Sequence, residues 1–71
     1  MSRPKKHSLT LRGHRTSVSL EDEFWAAFRE IAADEGRALN ELATEIDAER
    51  GTDTGLASAI RLYVLRRLRA R

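Results

Sequence analysis

Seventy-one residues with no cysteine leave room for one domain and exclude disulfide and thiolate–zinc staples. Thirteen Lys and Arg against eleven Asp and Glu give a net charge of only +2. The sequence holds no nucleophile–base pair, glycine-rich phosphate loop or metal-ligand cluster, so no enzyme, metal site or cofactor is expected.

The small net charge hides segregation. Residues 1–20 carry Arg3, Lys5, Lys6, Arg12 and Arg15, and residues 54–71 carry Arg61, Arg66, Arg67, Arg69 and Arg71, with no acid in either stretch. All eleven acids lie between Glu21 and Asp53. Such basic ends are a common footprint of nucleic-acid binding, and equally of a solubilising tail. No apolar run approaches the roughly 20 residues that cross a bilayer, and the basic start lacks the apolar segment of a secretory signal. The expected location is the cytoplasm, at the nucleoid, with no membrane partner.

In chain order, residues 1–13 read as a flexible basic arm, because Met1 to Ser8 have almost nothing apolar to bury. Within it Leu9-Thr10-Leu11-Arg12 alternates in polarity and is a candidate hairpin strand. Arg15-Thr16-Ser17-Val18-Ser19-Leu20 is the stronger strand. It turns Thr16, Val18 and Leu20 to one side and Arg15, Ser17 and Ser19 to the other. The apolar residues of the two stretches have opposite parity, and a two-residue turn at Gly13-His14 would bring them onto one face, with Leu11 opposite Thr16 and Leu9 opposite Val18.

Three helices follow. Glu21–Glu35 has Phe24, Phe28 and Ile31 at i, i+4 and i+7, widened by Trp25 and Ala32. Ser19 and Asp22 have capping-box spacing, and Gly36 suits a left-handed terminus. The aromatic residues at helical spacing read as core rather than as a stacking platform for bases. Asn40 to about Arg50 is the second helix, capped by Asn40, with Leu39, Leu42, Ala43 and Ile46 on its apolar face and an acidic opposite face. After the Gly51–Gly55 turn, with Asp53 or Thr54 as cap, Leu56–Arg69 forms the third, with Leu56, Ile60, Val64 and Leu68 in one stripe. Leu62 and Leu65 lie away from that stripe, which predicts a second packing neighbour.

One strong strand before three helices leaves backbone groups unpaired, at about 1–3 kcal/mol each when buried. The leading solution is antiparallel pairing with the same strand of a second chain about a two-fold axis. The hairpin within one chain is the competing one. In the leading reading the dimer core takes Thr16, Val18, Leu20, Phe24, Phe28, Ile31, Leu42, Ile46, Ile60 and Val64. The outward Arg15, Ser17 and Ser19 form the exposed face of a ribbon that fits a major groove about 12 Å wide.

Val18-Ser19-Leu20-Glu21-Asp22-Glu23-Phe24 and Glu35-Gly36-Arg37-Ala38-Leu39-Asn40-Glu41 resemble the strand-to-helix entry and the interhelical turn of the ribbon-helix-helix family, the class of the Arc and MetJ repressors. The whole chain looks like a branch of small bacterial proteins of that family. The chain departs from the family pattern in having Glu21 where proline is common, Ala38 where a hydroxyl is usual, and a second helical region broken by the Gly51–Gly55 turn. The resemblance implies a mainly α fold: an N-terminal strand paired across a two-fold dimer, residues 14–71 as the domain, and 56–69 as an extra C-terminal helix. It implies a homodimeric regulator of transcription, a repressor, with double-stranded DNA as partner. Arg15, Ser17 and Ser19 would contact bases. Backbone N–H groups at Ala38, Leu39 and Asn40 would hold a phosphate, with Lys5, Lys6, Arg12 and Arg37 as further phosphate contacts.

Two alternatives stand beside this reading. One is an interaction adaptor, or antitoxin-like partner binder, that presents helix 56–69 to another protein. The other is a helix-turn-helix of the last two helices with Arg61, Arg66 and Arg69 toward the groove.

Overall fold

The computed structural model describes residues 3–70. Met1 and Ser2 of the expected arm, and Arg71 of the basic C-terminal stretch, lie outside the described residues. The elements are β1 (Lys5–Leu11), β2 (His14–Leu20), α1 (Asp22–Asp34), α2 (Leu39–Glu49) and α3 (Leu56–Arg69). The fold is mainly α, a two-stranded antiparallel ribbon followed by three helices.

The ribbon is closed within the chain. β1 pairs with β2 antiparallel, from Leu11 opposite His14 out to Lys5 opposite Leu20. This corrects the expected pairing of β2 with its copy, and it turns residues 5–11 of the expected flexible arm into a strand. The cause is local. Arg12 (φ 52°) and Gly13 (φ 80°) both take the left-handed region, as a primed two-residue turn requires, so the chain reverses in two residues. The turn falls at Arg12-Gly13 rather than Gly13-His14. The register therefore moves by two, Leu9 lies opposite Thr16, and every side chain stays on its expected face.

The left-handed Arg12 carries backbone strain of about 1–2 kcal/mol, which asparagine tolerates better. Arg12→Asn is expected to stabilise the fold by about 1 kcal/mol, measured as a higher urea midpoint with an unchanged slope.

Beneath the ribbon the core is assembled from every element. Leu9, Val18 and Leu20 come from the strands, Phe28, Ile31 and Ala32 from α1, Leu42, Ala43 and Ile46 from α2, and Ile60 and Val64 from α3. Of the residues expected at a dimer core, all but Thr16 and Phe24, which are half-buried, are thus buried inside one chain. The second strand and third helix supply the surfaces that a partner was expected to supply. His7 joins from β1, its ring stacked on Trp25 at 4.2 Å, and Trp25 leans on Phe28 at 6.3 Å. Phe24 and Trp25 are packed against the core, as their spacing predicts.

The helix ends differ in detail from expectation. Glu21, Ala38 and Gly55 are the N-caps, and none makes a side-chain capping bond. Ser19 lies on the strand, too early for a capping box. Asn40 sits inside α2, where its side chain has another task. Gly36 (φ 66°) ends α1 in the expected left-handed way: its N–H donates to Ala33 and that of Arg37 donates to Ala32.

Candidate nucleic-acid interface

The outward face of the ribbon is built by the two-residue period of its strands. β1 presents Lys6, Ser8 and Thr10, and β2 presents Arg15, Ser17 and Ser19, all exposed and none acidic. They stand as three directly opposed pairs, Lys6 with Ser19, Ser8 with Ser17, and Thr10 with Arg15. In a hairpin with a two-residue turn, the flanking pair, here Leu11 with His14, exchanges both hydrogen bonds. Alternation then makes the three outward pairs the closely spaced kind, with Cα atoms about 4.5 Å apart.

The same alternation aims the backbone groups of these residues at the ribbon's edges, where helices clip them. The Thr10 N–H donates to Asn40 Oδ1 at 3.0 Å, fixing the start of α2 beside β1. Arg61 Nη2 of α3 donates to the Ser19 carbonyl at 3.3 Å on the β2 edge. Arg61 also pairs with Glu21 at 2.8 Å and lies 5.7 Å from the centre of the Phe24 ring. A hydrogen bond from its own backbone N–H, and then one from Arg61, hold the Glu21 carboxyl below the ordinary range.

The other cations divide by environment. Arg12 stands exposed at the ribbon tip. Lys5 points to the helix side of the ribbon and pairs with Asp22 at 3.2 Å. Arg37 is engaged by Glu45 and, at 3.7 Å, by Glu35, and the bond to Glu45 raises its pKa. Ala38, Leu39 and Asn40 open α2 at the β1 edge. On α3, Arg67 donates to Glu35 at 2.9 Å alongside the Tyr63 hydroxyl at 2.7 Å. Those bonds, Tyr63 first, hold the Glu35 carboxyl low. Of the three arginines that a helix-turn-helix would turn to the groove, Arg61 is tied to Glu21 and the Ser19 carbonyl, and Arg66 and Arg69 are exposed.

The structure thus brings Arg15, Ser17 and Ser19 onto one exposed face, adds Lys6 to them and places Arg12 at its tip. It sets Lys5 and Arg37 against acids. Sequence reasoning missed Ser8 and Thr10. The signal was present, because the alternation at Leu9 and Leu11 extends back through His7 and leaves the even positions outward.

A two-stranded ribbon standing on a base of helices is the architecture in hand. Residues 4–68 match the ribbon-helix-helix domain, and the chain belongs to that family. Neither a curated protein nor a solved structure matches it. The family is a DNA-binding, non-enzymatic class of regulators whose domains typically bind as dimers. Among the described residues no helix is long and apolar enough to cross a membrane.

Proposed function

We propose that this chain is a homodimeric, sequence-specific transcriptional regulator, a repressor, that inserts its antiparallel ribbon into the major groove of DNA at the nucleoid. The observation that carries the reading is the acid-free, exposed ribbon face with Lys6 and Arg15 set among hydroxyls. Arg15 offers a guanine edge two hydrogen bonds, and Ser17 and Ser19 donate or accept without choosing sharply. Lys6 and Arg12 reach phosphates from the ribbon. The N–H groups of Ala38, Leu39 and Asn40 face a phosphate at the groove rim, as a helix start favours. Lys5 and Arg37 contribute only by exchanging an acid for a phosphate. The buried core leaves Leu62, Leu65 and Leu68 of α3, each 43–48% exposed, as apolar surface for joining two copies.

Arg15→Ala is the direct test. It is expected to reduce preference for a selected site over random duplex by roughly 5- to 150-fold, the range of a lost bidentate base contact. Binding to random DNA should stay within a few-fold, as competition gel shifts at fixed salt would read. Unchanged affinity and preference would remove the ribbon as reader.

The same exposed leucines favour a second reading, an adaptor or antitoxin-like binder that presents α3 to another protein. Site selection that recovers no preferred DNA, together with a stoichiometric protein partner, would favour it.

A further inference from the structure

We infer that β1 is a second reading strand: Ser8 and Thr10 contact base edges alongside the β2 row, so that one chain carries a complete two-stranded reader. This rests on the proposed DNA-reading role of the ribbon and adds residues which that role did not include.

Ser8 and Thr10 are exposed on the face that carries Arg15, Ser17 and Ser19, directly opposite Ser17 and Arg15. Closely opposed pairs put the two rows about 4.5–5.5 Å apart. The major groove is about 12 Å wide, so a β2 row that reaches its floor brings the β1 row down with it. Along each strand, alternate residues are spaced about 6.6 Å apart. Three residues per row therefore span about 13 Å, roughly four base-pair steps at 3.4 Å each.

The rows differ in chemistry. β2 pairs one guanidinium with two hydroxyls, and β1 pairs one ammonium with two hydroxyls. No acid on either row repels a phosphate. The Thr10 N–H is held by Asn40 and the Ser19 carbonyl by Arg61, so both rows are anchored to helices and keep their spacing on approach. The two rows face the two strands of the duplex, one row to each.

In vitro site selection with three forms of the full chain tests this. The forms are the natural sequence, Ser8→Ala/Thr10→Val, and Arg15→Ala/Ser17→Ala. Thr10→Val keeps the β-branched shape, and circular dichroism with a thermal melt checks the fold. Each double variant is expected to lose preference at different base positions, by roughly fivefold or more at each, with Lys6 preserving affinity for random DNA. Ser8→Asn supplies a gain-of-function arm, with selection at one position shifting toward adenine. If Ser8→Ala/Thr10→Val and Ser8→Asn both select the natural site unchanged while Arg15→Ala/Ser17→Ala does not, β1 is only a support and the inference is overturned, with β2 still a reader. If the natural sequence selects no site, or all forms select the same one, the DNA-reading role of the ribbon fails, and this inference with it.

Discussion

Phe28→Ala is expected to remove a large share of the fold's stability and to lower its melting transition by more than about ten degrees. Phe28 is fully buried at the centre of α1, and its ring packs with Trp25 beneath the ribbon. Removing a buried phenylalanine side chain costs about 3–5 kcal/mol in lost transfer energy and residual cavity. A domain of this size holds on the order of 4–10 kcal/mol in total. With eleven buried hydrophobic residues in the core among the described residues, few neighbours remain to collapse into the space. Loss of the near-ultraviolet signal of Trp25, and a melting transition lowered by more than ten degrees or absent, would be the readout. A variant that melted within a few degrees of the parent would show that the core is organised around other residues.

The second large effect concerns which chain supplies each strand. Ser8 and Ser17 are directly opposed, at the close spacing whose Cα distance a disulfide can bridge. The chain has no cysteine of its own, so Ser8→Cys/Ser17→Cys can form only the bonds under test. On oxidation the product is expected to run at single-chain mass under denaturing, non-reducing conditions. Its loop of about ten residues should add roughly 2–3 kcal/mol of stability that reductant removes. Covalent two-chain species as the main product would mean that the ribbon is shared between chains.

Helices were legible because several signals agreed. α3 runs over Leu56–Arg69 as its apolar period and the preceding glycine-bounded turn predict, and α1 ends at the glycine expected to stop it. The hairpin was half legible. The opposite parity of Leu9 and Val18 demanded a reversal near Gly13, but no propensity selects arginine for a left-handed turn position, so the register stayed open. Lys5, Lys6 and His7 read as a disordered basic arm because charge masked their alternation. In the fold one of the three stacks on Trp25 and another pairs with Asp22. Asn40 has the composition of a cap, yet its amide oxygen is held by a strand edge thirty residues away, a contact that no local pattern encodes. α3 packs against α1 and α2 through Ile60 and Val64, while Leu62 and Leu65, which called for a further neighbour, stay exposed, as does Leu68 of the main stripe.

The two-residue turn at Arg12-Gly13 also changes the order of events during folding. A ribbon shared between chains forms in a bimolecular step, at a rate that falls with dilution. A ribbon closed by adjacent residues is a unimolecular event on the microsecond timescale of hairpins, independent of concentration. Its contacts span at most fifteen residues of sequence, from Lys5 to Leu20, which favours rapid folding. A cell holding only a few copies of this chain would therefore have each ribbon assembled soon after synthesis, before any second copy is met.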